Sequence, residues 1–207
     1  MHFENRLFWQ RCSERYPRYF NDPSKVIEFG SYNINGSIRD WCKCSDYTGV
    51  DWIAGPCVDF VSLAHEVPFE PESFDTVLSA SMLEHDPFWR NSLAKMVEVM
   101  KKDGILAISW GAALNPPHHF ETAPDGKFHA LKAWLALEFL WDRGLYVHEF
   151  QHERSICLAS GDEEFINIHA KGNPMYGMGE VVLVAFKDKK YASGEQTIEL
   201  LIDEDKA

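Results

Sequence analysis

The chain has no long uncharged apolar run. None approaches the roughly 18 residues that a membrane-spanning helix requires. Its start does not read as a charged segment followed by an apolar one, so no secretory leader is expected. Basic residues are scarce: Lys and Arg total 20 against 32 Asp and Glu, a formal charge of -12. That balance repels nucleic-acid backbones and anionic membrane surfaces, so neither is expected as a partner. A small molecule or a protein is expected instead. Cysteine is sparse. The five thiols (Cys12, Cys42, Cys44, Cys57 and Cys157) are odd in number and form no C-x-x-C pair. This argues against a disulfide framework and fits a reducing cytosol. Cys42 and Cys44 make one isolated C-x-C with no second pair, and no metal site is expected. A soluble, cytoplasmic protein is the simplest reading. Internal repeats and clear linkers are absent too.

What remains is ordinary in bulk and rich in rings. Hydrophobic residues make up 45% and charged ones 25%, as in a globular protein with a sizeable core. Aromatics reach 14%, with seven Trp, enough to line a pocket as well as a core. The length of 207 residues suits one domain.

Short apolar runs recur along the chain. Residues 3 to about 20 read as an N-terminal helix with an aromatic face, stopping near Pro17. The strand expectations are Lys25–Phe29, Tyr47–Asp51, Asp59–Leu63, Ser73–Ser79, Gly104–Trp110, Leu145–Phe150 and Glu180–Phe186. Between them, Pro87–Met100 has helical spacing at Leu93, Met96, Val97 and Met100, closed by Asp103-Gly104. A further helix is expected over His129–Trp141. The stretch from Gln151 to Gly179 reads as irregular or inserted, and the tail from Lys187 as charged and partly exposed. The alternation implies an α/β fold: a Rossmann-like, doubly wound, mostly parallel sheet in a three-layer sandwich.

One segment carries chemistry. V-I-E-F-G-S-Y-N-I-N-G-S, Val26–Ser37, runs from a buried strand through a glycine turn to a helix start expected at Ser37. Such a connection aims backbone N–H groups and a helix N-terminus at whatever lies above the strand's carboxyl end. In an open α/β sheet, that crevice is where ligands bind. Gly30 permits a tight turn and Asn35-Gly36 a second one. Asp51 ends the next strand, about 20 residues on, where a carboxylate can accept both hydroxyls of an adenosine ribose. A dinucleotide-type G-x-G-x-x-G is missing, which weakens a nicotinamide-cofactor reading.

Seven pieces in order resemble a known family: E-F-G-S (Glu28–Ser31), Y-T-G-V-D (Tyr47–Asp51), G-P-C-V-D (Gly55–Asp59), A-H-E-V-P-F (Ala64–Phe69), S-F-D-T-V-L-S (Ser73–Ser79), M-L-E-H (Met82–His85) and K-K-D-G-I-L-A-I-S (Lys101–Ser109). Together they resemble the class I S-adenosylmethionine-dependent methyltransferases, type 11 branch, from about Val26 to Ser109. The resemblance implies S-adenosylmethionine as cofactor and in-line methyl transfer to an O, N or C nucleophile of a small molecule. It implies that Glu28, Gly30 and Ser31 meet the methionine end, with Asn35 and Gly36 nearby. Asp51 would hold the ribose and Trp52 flank the adenine. Ala64 and His65 would lie at the adenine edge, and Ser81 and Met82 beneath the sulfonium. The chain departs from the family where Tyr32 and Ile34 stand at later glycine positions and Leu63 where an acidic residue is frequent. An inactive cofactor-binding partner subunit and a Rossmann-type NAD(P) oxidoreductase are the alternatives.

On this reading residues 1–207 form one domain: an N-terminal helix or lid (1–22), a cofactor-binding half (23–110) and a substrate-side half (111–207) with an insertion near 151–179. A general base, if the acceptor needs one, is expected among His85, His118 and His119, which follow the fourth and fifth strands. Trp110 is the first aromatic expected in an acceptor pocket, with Phe8, Trp9 and Phe120 as further candidates. Trp134 and Trp141, seven apart, are expected to pack in the core.

Overall fold

Lys25-Val-Ile-Glu-Phe29 forms the first strand because four successive buried positions need partners on both faces. In the computed structural model this strand, β1 (Lys25–Phe29), lies inside an eight-stranded sheet. The others are β2 (Asp46–Asp51), β3 (Phe60–Val61), β4 (Phe74–Ala80), β5 (Met100–Gly111), β6 (Tyr146–Glu153), β7 (Glu180–Phe186) and β8 (Thr197–Ile198). The helices are α1 (Phe3–Arg15), α2 (Pro17–Phe20), α3 (Trp89–Val99) and α4 (Ala133–Trp141). The structure describes residues 3–113, 121, 123–153 and 179–198.

Strand order is β3-β2-β1-β4-β5-β7-β6-β8. Pairing is parallel except that β7 runs antiparallel to β5 and β6. The expected mostly parallel, doubly wound sheet is thus observed. The chain moves outward from β1 through β2 to β3, then returns to β4 on β1's other side. That reversal puts a topological switch point between the carboxyl ends of β1 and β4.

Two apolar layers sandwich the sheet. Alternation along the strands sends Ile27, Phe29, Leu106 and Ile108 to one face, against Leu93 and Met96 of α3 and Leu137 and Leu140 of α4. Val26, Leu78, Ile105 and Ala107 face the other way, against Phe8, Trp9 and Cys12 of α1 and Tyr19 and Phe20 of α2. The helix expected over residues 1–22 therefore packs as a layer of the sandwich, and it is two helices, divided at Tyr16 before Pro17.

Several expectations shift. The helix expected from Ser37 is a single 3-10 turn, Ile38–Trp41. Ser37 caps it by accepting from Arg39 N at 3.2 Å. Lys43 is then drawn out by backbone bonds to Phe20 O and from Asp22 N, which leaves no room for further turns. Helix α3 stops at Val99 and not at Asp103-Gly104, because Met100 is already extended and pairs with Phe74. Gly104 lies inside β5, where a Cβ would come 2.8 Å from Asp75 O. Helix α4 begins at Ala133 and not at His129, whose N–H bonds Glu84 O at 2.5 Å. The segment expected as irregular from Gln151 is β6 as far as Glu153, and the rest of it, to residue 178, lies outside the described residues.

Candidate cofactor crevice

The β1 turn is built by glycine and closed by its neighbours. Gly30 has φ +79°, and a Cβ there would lie 2.6 Å from the Cβ of Met82. Only glycine satisfies both constraints. The tips of β1 and β4 thus touch at the switch point. The N–H groups of the turn do not point outward as the sequence suggested. Those of Gly30 and Ser31 both bond Val50 O, at 2.8 and 3.0 Å. Tyr32 N donates to Asp51 at 3.1 Å, Asn33 N to Pro56 O, and Gly36 N to Asn33 Oδ1. With one 3-10 turn in place of a helix, there is also no macrodipole to attract an anion. The connection is therefore a poor cradle for phosphate.

Asp51 stands at the tip of β2. Its two oxygens accept from Tyr32 N and, at 3.3 Å, from Ile53 N. An ionised carboxylate offers about four acceptor positions, so these backbone bonds do not saturate it. Desolvation raises its pKa, opposed by the backbone hydrogen bonds of Tyr32, Ile53 and Trp52. Tyr32, at a depleted glycine position, lays its ring on Gly55, where a Cβ would be 1.9 Å from Cε2. Ile34, at the other, is exposed.

The floor at β4 is held under strain. Ser81 has φ +51°, a left-handed conformation uncommon for serine. Its N–H bonds Ser109 O, at the end of β5, at 3.0 Å. Met82 follows and opens the 3-10 turn Leu83–His85. Ser31 Oγ is buried against Gly49 of β2, without a partner among the described residues.

Residues 35–108 match the methyltransferase domain family. Solved structures share the architecture at low identity. The YcgJ protein of Bacillus subtilis aligns at a TM-score of 0.62 and 10% identity, over 89% of this chain and 99% of that one. The 1,6-didemethyltoxoflavin-N1-methyltransferase of Burkholderia thailandensis, solved with 1,6-didemethyltoxoflavin and S-adenosylhomocysteine, aligns at 0.57 and 16%, over 88% and 79%. The cyclase SpnF aligns at 0.61 and 16%, over 88% and 81%. This chain has the class I methyltransferase fold. No curated protein matches it. The family resemblance read from the sequence is thereby borne out.

Within this methyltransferase fold, the expected site residues fall into groups. Gly30, Ser31, Asp51, Ser81 and Met82 meet around the switch point and the tip of β2. Asn35 and Gly36 lie in the loop after β1, where Arg6 of α1 donates to Asn35 O at 3.1 Å. Trp52 is 37% exposed beside Asp51. Ala64 and His65 form a 3-10 turn after β3, with the His65 ring on Phe88 at 4.9 Å. Glu28 is buried beneath the crevice, on the face covered by the Ile38–Trp41 turn. Tyr47 Oη donates to it at 2.6 Å, and Arg39 lies 4.4 Å over the Tyr47 ring. Burial pushes Glu28 up to about 7, against the pull of Tyr47 and Arg39.

His85 follows β4 and is 8% exposed. Its Nδ1 lies 3.1 Å from Lys127 O, on a strap whose Leu131 O also accepts from Trp110 Nε1. A carbonyl accepts only, so Nδ1 carries a proton. His118, His119 and Phe120 lie outside the described residues. Trp110 is fully buried and belongs to the core, as do Phe8 and Trp9, so none of the three lines a pocket. Trp134 and Trp141 are 40% and 49% exposed, the reverse of the core role expected from their spacing. Ala136, Leu137 and Leu140 fill the buried side of α4 instead. Sequence reasoning missed Asn5, which is wholly buried and bonded to Ser81 and Ser109, and Arg39 and Tyr47, which surround Glu28. The only signal for Asn5 was a polar amide beside the aromatic stripe of α1.

Proposed function

We propose that the chain is an S-adenosylmethionine-dependent methyltransferase acting on a small molecule. One observation carries this reading. An acceptor-only carboxylate, Asp51, stands at a crevice whose adjoining turn has already used its N–H groups. A ribose diol finds an acceptor there, whereas the N–H groups of Gly30, Ser31, Tyr32, Asn33 and Gly36 are already engaged and offer a pyrophosphate nothing. This favours an adenosyl cofactor without phosphates over a dinucleotide. The methyltransferase-domain match over residues 35–108 supports it.

Asp51 is the ribose ligand. The Gly30–Ser31 turn and the Ser81–Met82 floor bracket the amino-acid end of the cofactor, and Trp52, Ala64 and His65 surround the adenine. When bound, S-adenosylmethionine supplies an electrophilic methyl group on a sulfonium. The chain then holds the acceptor in line, which contributes several kcal/mol, up to ~7–11 in well-oriented systems. For a hydroxyl or protonated amine acceptor, His85 is the candidate base, because it closes the 3-10 turn that follows Ser81 and Met82 at the end of β4.

Calorimetry with S-adenosylmethionine, S-adenosylhomocysteine and NAD tests this reading. Micromolar binding of the first two and none of NAD is expected. NAD binding without response to the others contradicts it. Single-turnover rates then test the base: His85→Ala is expected to slow transfer by about 10²- to 10⁴-fold. A rate equal to the parent removes His85 from that role.

A further inference from the structure

The buried side chain of Asn5, on the first turn of α1, reaches past the layer it belongs to and joins the ends of β4 and β5. Its amide is fully buried. Ser109 Oγ, itself fully buried, donates to Asn5 Oδ1, and Asn5 Nδ2 donates to Ser81 Oγ at 3.1 Å. The direction of this chain has a consequence for Ser81. An oxygen that accepts from an amide N–H must direct its own proton elsewhere. Ser81 is half-buried at the switch point, and its backbone N–H is already bonded to Ser109 O. Aligned bonds of this kind polarise one another, which strengthens the terminal donor.

We propose that Asn5 is a positioning residue: through the Ser109–Asn5–Ser81 chain it holds the Ser81 hydroxyl as a hydrogen-bond donor toward the crevice, where it meets a carboxylate oxygen at the amino-acid end of the cofactor. This rests on the cofactor reading above and adds a role to it. Ser81's left-handed backbone supports the assignment. The strain is kept at the residue that the buried amide grips, and such strain persists where surrounding structure imposes it. The chain also explains why a wholly buried amide stands in an otherwise aromatic and apolar helix face.

The test uses the full chain and two ligands. S-adenosylhomocysteine carries the amino-acid carboxylate, and 5′-methylthioadenosine lacks it. Asn5→Asp replaces the donor with an acceptor, so Ser81 must turn its proton inward. Ser81→Ala removes the hydroxyl and stands in should Asn5→Asp fail to fold. Each variant is expected to weaken S-adenosylhomocysteine binding at least fivefold and leave 5′-methylthioadenosine within twofold of the parent. The double variant is expected to be no weaker than the worse single one. Unchanged S-adenosylhomocysteine binding in folded Ser81→Ala overturns the proposal, and so does an equal loss for both ligands, which marks a purely structural role. A parent chain that binds neither ligand instead overturns the cofactor reading on which the proposal stands.

Discussion

The two faces of the sheet are covered by different means. One carries crossover helices: α3 and α4 bury Leu93, Met96, Leu137 and Leu140 against strands whose neighbours in sequence lead into them. The other is covered largely by the chain's own N-terminus, because the β1–β2 connection holds one 3-10 turn instead of a helix. There Phe8, Trp9, Tyr19 and Phe20 come from residues distant in sequence. Two buried polar pairs lie on this second face: Asn5 with Ser109, and Glu28 with Tyr47. A crossover reduced to a turn left space, and the helix that filled it brought an amide to the site. The face that looks like an accessory layer therefore carries the polar contacts to Ser81 and Glu28.

The largest expected effect tests that layer. Trp9→Ala should lower unfolding free energy by about 3–5 kcal/mol in urea titrations, the usual loss for a buried aromatic. A loss below 1 kcal/mol would show that α1 is not part of the core. Glu28 gives the next effect. Its carboxyl titrates near 4.5 unfolded and is pushed up to about 7 when folded. Between those values the folded state keeps a proton that the unfolded state releases. Stability should therefore fall as pH rises through that window, by on the order of 2–3 kcal/mol. Glu28→Gln keeps an acceptor for Tyr47 and should flatten the slope, as read from unfolding at pH 4.5, 6 and 8. Asp51→Ala should weaken S-adenosylhomocysteine binding by about 1–3 kcal/mol with the fold intact. In the parent, affinity should decline on acidification sooner than for an ordinary aspartate, since its raised pKa brings protonation closer to neutrality. The smallest effect belongs to the crossover side, where Trp134→Ser on the exposed flank of α4 should change stability by no more than about 0.5 kcal/mol.

Local signals disclosed much of this. The apolar runs of β1, β4, β5 and β7 are continuous because these strands are buried on both faces, and alternation with α3 revealed the layered class. Glycine at Gly30 and the carboxylate at Asp51 were legible because backbone closeness and strand-end position constrain residue type. What escaped depends on distant parts of the chain. Nothing near Ser37 shows that Lys43 is captured by Phe20 and Asp22, which cuts the helix short. The seven-residue spacing of Trp134 and Trp141 identifies a shared helix face but not which way it points, and alanines and leucines filled the buried side. Trp110 reads as a pocket residue only until the strap at Leu131 covers it. Asn5 sits 76 residues from Ser81 and 104 from Ser109, beyond any local pattern.

A crystal structure of the chain with S-adenosylhomocysteine tests the account most directly. The expected result is both ribose hydroxyls within hydrogen-bond reach of the Asp51 carboxylate, about 2.5–3.0 Å, with the amino-acid end between the Gly30 turn and Ser81. An adenosyl group bound elsewhere, with Asp51 touching only its own backbone, would contradict it.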